Sequence, residues 1–253
     1  MIILETLLIA FSMFSAIPVP QVQWNARNMR FTLCAFPLVG ALIGLACVLW
    51  VRLCAWMHLP SLLQGAGLCL LPVMLSGGIH LDGYADTWDA LASHSDVETR
   101  QKILKDPHMG AFAAIRLCMF FLAYFALWVV LPSFPAVAVV CSFCLSRTLS
   151  ALAVAAFPLR SGAGLARSFA DASDKRIVRI FSAALSAALC AVIAASGGIW
   201  MVPAALAVFV VYRYRIVPKF NGLSGDLAGW FVQTAELWML AALCFGQYAE
   251  AML

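Results

Sequence analysis

The stretch 117-LCMFFLAYFALWVVL-131 holds no charged residue and no side-chain amide. Its apolar residues do not alternate with polar ones, as strands of a membrane barrel do over roughly ten residues. A segment apolar on every side is a helix enclosed by protein or lipid, where the backbone must satisfy its own polar groups. The composition carries this reading along the chain. Of 253 residues, 64% are hydrophobic and 11% charged, and the mean hydropathy is +0.95. A soluble domain carries about 25% charged residues, so the polar surface here is too small to clothe a water-soluble globule. The expectation is an all-α, polytopic integral membrane bundle, a single transmembrane domain over 1–253 with about six to eight membrane segments.

Comparable runs occupy 31–51, 61–79, 111–131, 135–157, 179–198, 199–212 and 228–249. The 199–212 run falls short of the ~20 residues of a full span and is parted from its predecessor only by Gly197-Gly198. The N-terminal 1-MIILETLLIAFSMFSA-16 lacks the positive n-region of an export signal and reads as a retained spanning or re-entrant helix. If the segments alternate, the connections 18–30, 80–110, 158–178 and 213–227 share one side. They hold Arg27, Arg30, Arg100, Lys102, Lys105, Arg160, Arg167, Lys175, Arg176, Arg213, Arg215 and Lys219, with Arg52 the exception. Positive loops stay inside, so this face is expected to be cytoplasmic, in a bacterial inner membrane. The net charge of +4 gives no reason to expect a nucleic-acid partner; the lipid bilayer is the implied one. The nine cysteines are scattered through apolar runs and read as buried structural thiols. The single CxxC, Cys141 to Cys144, has no second pair to make a metal site.

The acids gather on the same side. Within 78-GGIHLDGYADTWDA-91, Asp82, Asp86 and Asp89 stand at i, i+4 and i+7, one stripe of a helix. Like charges so placed repel, the more so beside a membrane, and a hard cation compensates them; all-oxygen ligands suit Mg²⁺. Helix capping is the plainer explanation for Asp82, while Asp89 lies too deep for it. His80 is either a hydrogen-bonding partner of substrate or carboxylate, or incidental to a helix end. In 102-KILKDPHMGAF-112, Lys105 and Asp106 precede a Pro107 stop and fit either a phosphate and a metal-bound water or an ordinary solvated loop. In 221-NGLSGDLAGWFVQTAE-236, Gly222, Ser224 and Gly225 make a turn open to an anion. Asp226 then opens a helix with Gly229, Gln233 and Glu236 on one stripe. Glu236 inside an apolar segment is either functional or paired with a buried cation, Arg116 or Arg147. Gly40 and Gly44 are spaced for close helix packing.

The run Gly77-Gly78-Ile79-His80-Leu81-Asp82-Gly83-Tyr84-Ala85-Asp86-Thr87-Trp88-Asp89 resembles the signature of the cobalamin synthase (adenosylcobinamide-GDP ribazoletransferase) family. Further matches follow in order: Pro18-Val19-Pro20, Phe36-Pro37-Leu38-Val39-Gly40, Lys105-Asp106 with Gly110, Ser146-Arg147, Gly164-Leu165, and Ser224-Gly225-Asp226 with Gly229 and Glu236. The chain departs from the family at Ala16, Ala113, Ser224 and Gln233, where arginine, glycine, threonine and an acid are common. The resemblance implies transfer of adenosylcobinamide phosphate from adenosylcobinamide-GDP to α-ribazole or its 5′-phosphate, releasing GMP, with Mg²⁺ as cofactor. For that chemistry, Asp82, Asp86 and Asp89 are expected to bind one or two Mg²⁺, and Asp226 to complete the metal shell or accept the proton of the attacking hydroxyl. Lys105, Arg100 and Arg167 would neutralise phosphate, with Asp106 orienting the lysine, and His80, Ser224 and Gly225 would meet substrate. Homo-oligomers or complexes with other corrinoid-pathway enzymes are compatible with it. Two other readings fit less well. The CDP-alcohol phosphotransferases need Ala-Arg after Asp-Gly, where Tyr84-Ala85-Asp86 follows here. A transporter would show related halves and midplane charge, and the acids lie at one face.

Overall fold

The computed structural model describes residues 2–160 and 164–252, and among these the chain is almost entirely helical. The helices are α1 (Ile2–Phe14), α2 (Ala26–Met29), α3 (Thr32–Trp56), α4 (Ser61–Ser76), α5 (Ile79–Ala92), α6 (Val97–Ile103), α7 (Ala111–Val130), α8 (Ala136–Ala156), α9 (Leu165–Ala172), α10 (Lys175–Ile193), α11 (Met201–Val211) and α12 (Gly225–Glu250). Among the described residues, six segments are long and apolar enough to cross a membrane: α3, α7, α8, α10 with its extension to Gly198, α11 with its extension to Phe220, and α12. The chain is a multi-pass membrane protein.

The expected loops differ from the structure at all four connections, with 18–30 holding α2 and 158–178 holding α9. The 80–110 connection contains α5 and α6. The short 199–212 run continues as helix through Phe220, so Arg213 and Arg215 extend a span rather than open a loop. Their long stems can lie along apolar surface while the guanidinium reaches water, which lets the helix run past its last apolar residue. α1 has 13 residues, about 20 Å at 1.5 Å per residue, and is too short to span alone.

Two helices form the centre. In α8 and α12, 78% of the most apolar window is enclosed by protein, against 22% in α7 and α10. α3 and α10 pack on α8, and α5 and α11 pack on α12. Gly40 and Gly44 do bring α3 onto α8, for a side chain at 44 would meet the Val140 backbone at 2.6 Å.

Deep between the central helices, Arg147 of α8 donates to Glu236 of α12 at 2.5 Å, with Ser146 Oγ donating to the same carboxylate oxygen at 2.9 Å. Both charged side chains are almost wholly buried. Glu236 is thus paired, with Arg147 rather than Arg116 as its partner. Removing one member of such a pair strands the other charge.

The bend that creates α5 has a local cause. Gly77 and Gly78 both adopt left-handed backbone, φ 66° and 77°, which only glycine enters without strain. Gly77 N–H and Gly78 N–H close on the Met74 and Val73 carbonyls, ending α4. α5 leaves at 94° to α4 and lies across α12.

Candidate functional site

α5 and α12 meet through two glycines. A side chain at Gly83 would strike the Asp226 backbone at 2.6 Å, and one at Gly229 would strike the His80 carbonyl at 2.9 Å. This contact, between backbones and without side chains, carries Asp226 up to the aspartate stripe. Asp82, Asp89 and Asp226 all lie close enough to Asp86 to act on its charge. Four acids from two helices therefore share one region. Asp82 is exposed; Asp86, Asp89 and Asp226 are half-buried.

Each carboxylate has its own setting. Asp226 sits in the first turn of α12, where Ser224 caps the helix by accepting the Leu227 N–H at 3.4 Å and donates to Asp226 Oδ2 at 3.3 Å. Ser224 thus serves the helix start and its acid. Asp89 accepts the Ala113 N–H at 3.3 Å, at the start of α7. Gly110 makes the approach possible, because a side chain there would collide with the Asp89 carboxylate. The i+7 member of the stripe thus caps the next helix with one oxygen, through tertiary structure that spacing cannot reveal. Among the described residues no three acids, histidines or cysteines already stand close enough to share one ion. Asp82, Asp86 and Asp226 still offer the hard oxygen donors that suit Mg²⁺, which binds through one or two carboxylates and completes its shell with water and phosphate.

Asp82 stands where two cavities meet. The first holds about 250 Å³ and is largely apolar; Phe14, Phe36, Phe169, His80, Asp82 and Asp226 are among its lining. Its rings are in contact, Phe14 to Phe36 at 4.3 Å and Phe14 to Phe169 at 5.5 Å between centroids. His80 is buried, and its Nε2 has no partner among the described residues. Gly225 joins this lining. The second cavity holds about 760 Å³ and is bounded by Gly77, Gly78, Asp82, Asp86, Asp106 and His108. Here Asp106 accepts the His108 backbone N–H at 2.9 Å and lies 2.8 Å from its Nδ1. Those contacts, and not Lys105, engage Asp106, and they hold its carboxyl below its ordinary value.

The expected phosphate-binding cations stand apart from both linings. Arg100 donates to the Lys219 carbonyl at 3.2 Å. Arg167 pairs with Asp171 at 3.4 Å and donates to the Arg160 carbonyl at 3.3 Å. Lys105 is exposed. Arg160, a cation outside those expectations, is held next to the start of α12. The backbone of 159–160 is tied to Leu223, with Arg160 N–H donating to the Leu223 carbonyl at 3.0 Å. Nothing in the local sequence of Arg160 distinguishes it from the other loop cations. The aromatic lining was equally hidden, because its rings come from three separate helices.

The family model for cobalamin-5-phosphate synthase matches residues 6–244. The chain belongs to this family. Three relatives span nearly the whole chain. A protein of Lachnoclostridium phytofermentans is 40% identical over 92% of this chain and 91% of its own length. One from Geobacillus is 32% identical over 92% of both chains, and one from Pseudomonas putida 32% identical over 94% and 98%. All three are named adenosylcobinamide-GDP ribazoletransferase. No solved structure matches the chain. In this chain, the meeting of α5 and α12 is where Asp82, Asp86 and Asp226 come together.

Proposed function

We propose that this protein transfers adenosylcobinamide phosphate from adenosylcobinamide-GDP to α-ribazole or its 5′-phosphate, releasing GMP. The site would face the cytoplasm from a bacterial inner membrane, since the basic loops gather at that end. The single observation that carries the reading is Asp82, an acid common to an aromatic cavity and a polar one, with Asp86 and Asp226 beside it.

The two cavities suit the two substrates. A benzimidazole riboside is a flat apolar ring with one free ring nitrogen, matched by a cluster of phenylalanine rings and one histidine. The diphosphate and its nucleoside are polar and suit the larger cavity. Their meeting point is then the Asp82 wall. There the ribazole hydroxyl oxygen bonds to the phosphorus that bears the corrinoid, the bond from that phosphorus to the GMP oxygen breaks, and GMP leaves. Asp226 is the group placed to take the hydroxyl proton, with the Ser224 hydroxyl and the charge of Arg160 steadying it. Asp82 and Asp86 would hold a Mg²⁺ ion, which would supply the neutralisation that a departing phosphate needs. Positioning and charge stabilisation are what such displacement requires of a protein.

The test is product identity. Purified protein in nanodiscs, given adenosylcobinamide-GDP, α-ribazole and Mg²⁺, should release GMP and form adenosylcobalamin in equal amounts. GMP without adenosylcobalamin, or neither, would refute the proposal.

A further inference from the structure

Arg116 is the buried-segment cation that the catalytic reading does not use. It stands about a turn and a half into the apolar helix α7, and no carboxylate pairs with it among the described residues. Its guanidinium lies 4.0 Å over the Trp88 ring. An unpaired charge at this depth is costly in lipid and asks for an anion or water.

The surroundings indicate which anion. Arg116 lies on a groove of about 630 Å³ floored by α12, with α7 on one side and α11 on the other. Trp88, Trp230 and Arg116 line its end toward the charged loops, and Met119, Ala204, Ala207 and Trp238 line its deeper part. From Arg116 to Ala123 the groove follows α7 for about 10 Å toward the bilayer middle. Met119 and Trp238 are 55% and 57% exposed, so the groove opens sideways onto whatever surrounds the bundle. One cation at the interface end and an apolar trough below it reproduce the polarity of a single lipid. The face of α5 that bears Trp88 is not the one that bears the aspartates, and this groove shares no lining residue with either catalytic cavity.

We propose that this groove is a binding site for an anionic phospholipid, its phosphate on Arg116 and an acyl chain along α12. The ion pair relieves the unpaired guanidinium, and the chain covers Trp238 and Met119. Cation and aromatic ring together hold the headgroup, as membrane-interface arginine and tryptophan do elsewhere.

The probe is a vesicle of equal parts phosphatidylglycerol and phosphatidylcholine with identical acyl chains. Protein is extracted from it in mild detergent, and the lipids retained are counted by native mass spectrometry. Wild type should retain phosphatidylglycerol in preference. Arg116→Gln should lower that preference about five-fold, the ~1 kcal/mol of one basic residue at an anionic surface, while Arg116→Lys keeps most of it. Ala207→Phe, which fills the trough without touching the charge, should lose the retained lipid of either kind. An unchanged lipid ratio in Arg116→Gln, or full retention in Ala207→Phe, would overturn the assignment.

Discussion

An alanine at Gly83 should separate the two halves of the site while leaving the bundle folded. The added methyl would lie 2.6 Å from the Asp226 carbonyl oxygen and 2.8 Å from its Cα, where ordinary contact begins at 3.4 Å. Neither atom belongs to a side chain that can swing away. A local rotation gives little relief, because the helices are also close at Gly229, where a Cβ would lie 3.4 Å from the Gly83 Cα and 2.9 Å from the His80 carbonyl oxygen. α5 and α12 must therefore part by about 0.8 Å, at an overpacking cost of ~1–3 kcal/mol. Displacement of reacting groups by about 1 Å costs ~10²-fold in rate. Gly83→Ala should accordingly insert and purify, unfold at a somewhat lower temperature, and release GMP about 10²-fold more slowly at saturating substrates. Gly164→Ala is the control, since its added methyl meets nothing within 4 Å among the described residues, and it should stay within about 0.5 kcal/mol of wild type. Turnover of Gly83→Ala near the wild-type rate would show that the glycine contact does not set the site.

Other outcomes follow from the same geometry. Glu236→Leu should destabilise the bundle by about 3–5 kcal/mol by stranding Arg147, and adding Arg147→Met should recover most of the loss; thermal unfolding in detergent reads both. Asp89→Ala should cost about 1 kcal/mol through the lost cap on α7, whereas Asp89→Asn, which can still accept the Ala113 N–H, should unfold near wild type. The Asp174 carboxyl, at the start of α10, is held below its ordinary value by the Arg30 guanidinium and by the Ile177 N–H. A depressed carboxylate contributes stability that is complete above its unfolded value, about 4, and is lost as pH falls through the lower folded one. Arg30→Gln should therefore flatten the acid side of the unfolding temperature profile below about pH 5.

The sequence made the helices legible because lipid imposes one rule on every segment. Asp82, Asp86, Asp89 and Asp226 stood out for a related reason: acids next to apolar helices are costly unless used. Other features depend on distant partners. Gly77-Gly78 reads as part of a motif, yet its structural effect is the 94° bend that lays α5 over α12. Glu236 was recognisable as anomalous, but its choice of Arg147 over Arg116 is set by how α8 and α12 face each other. The cap made by Asp89 needs Gly110 from the next helix, and Arg160 stands next to the start of α12 only because 159–160 is tied to Leu223. Phe14, Phe36 and Phe169 are ordinary apolar residues until three helices bring them together.

The most direct test is cation binding itself. Mn²⁺ can stand in for Mg²⁺ and be counted by electron paramagnetic resonance on protein in nanodiscs, with and without adenosylcobinamide-GDP. Mn²⁺ should bind tightly with the donor present, and at least tenfold more weakly in each of Asp82→Asn and Asp86→Asn while the fold persists. Equal Mn²⁺ affinity in wild type and both variants would contradict the cation's place between these two acids.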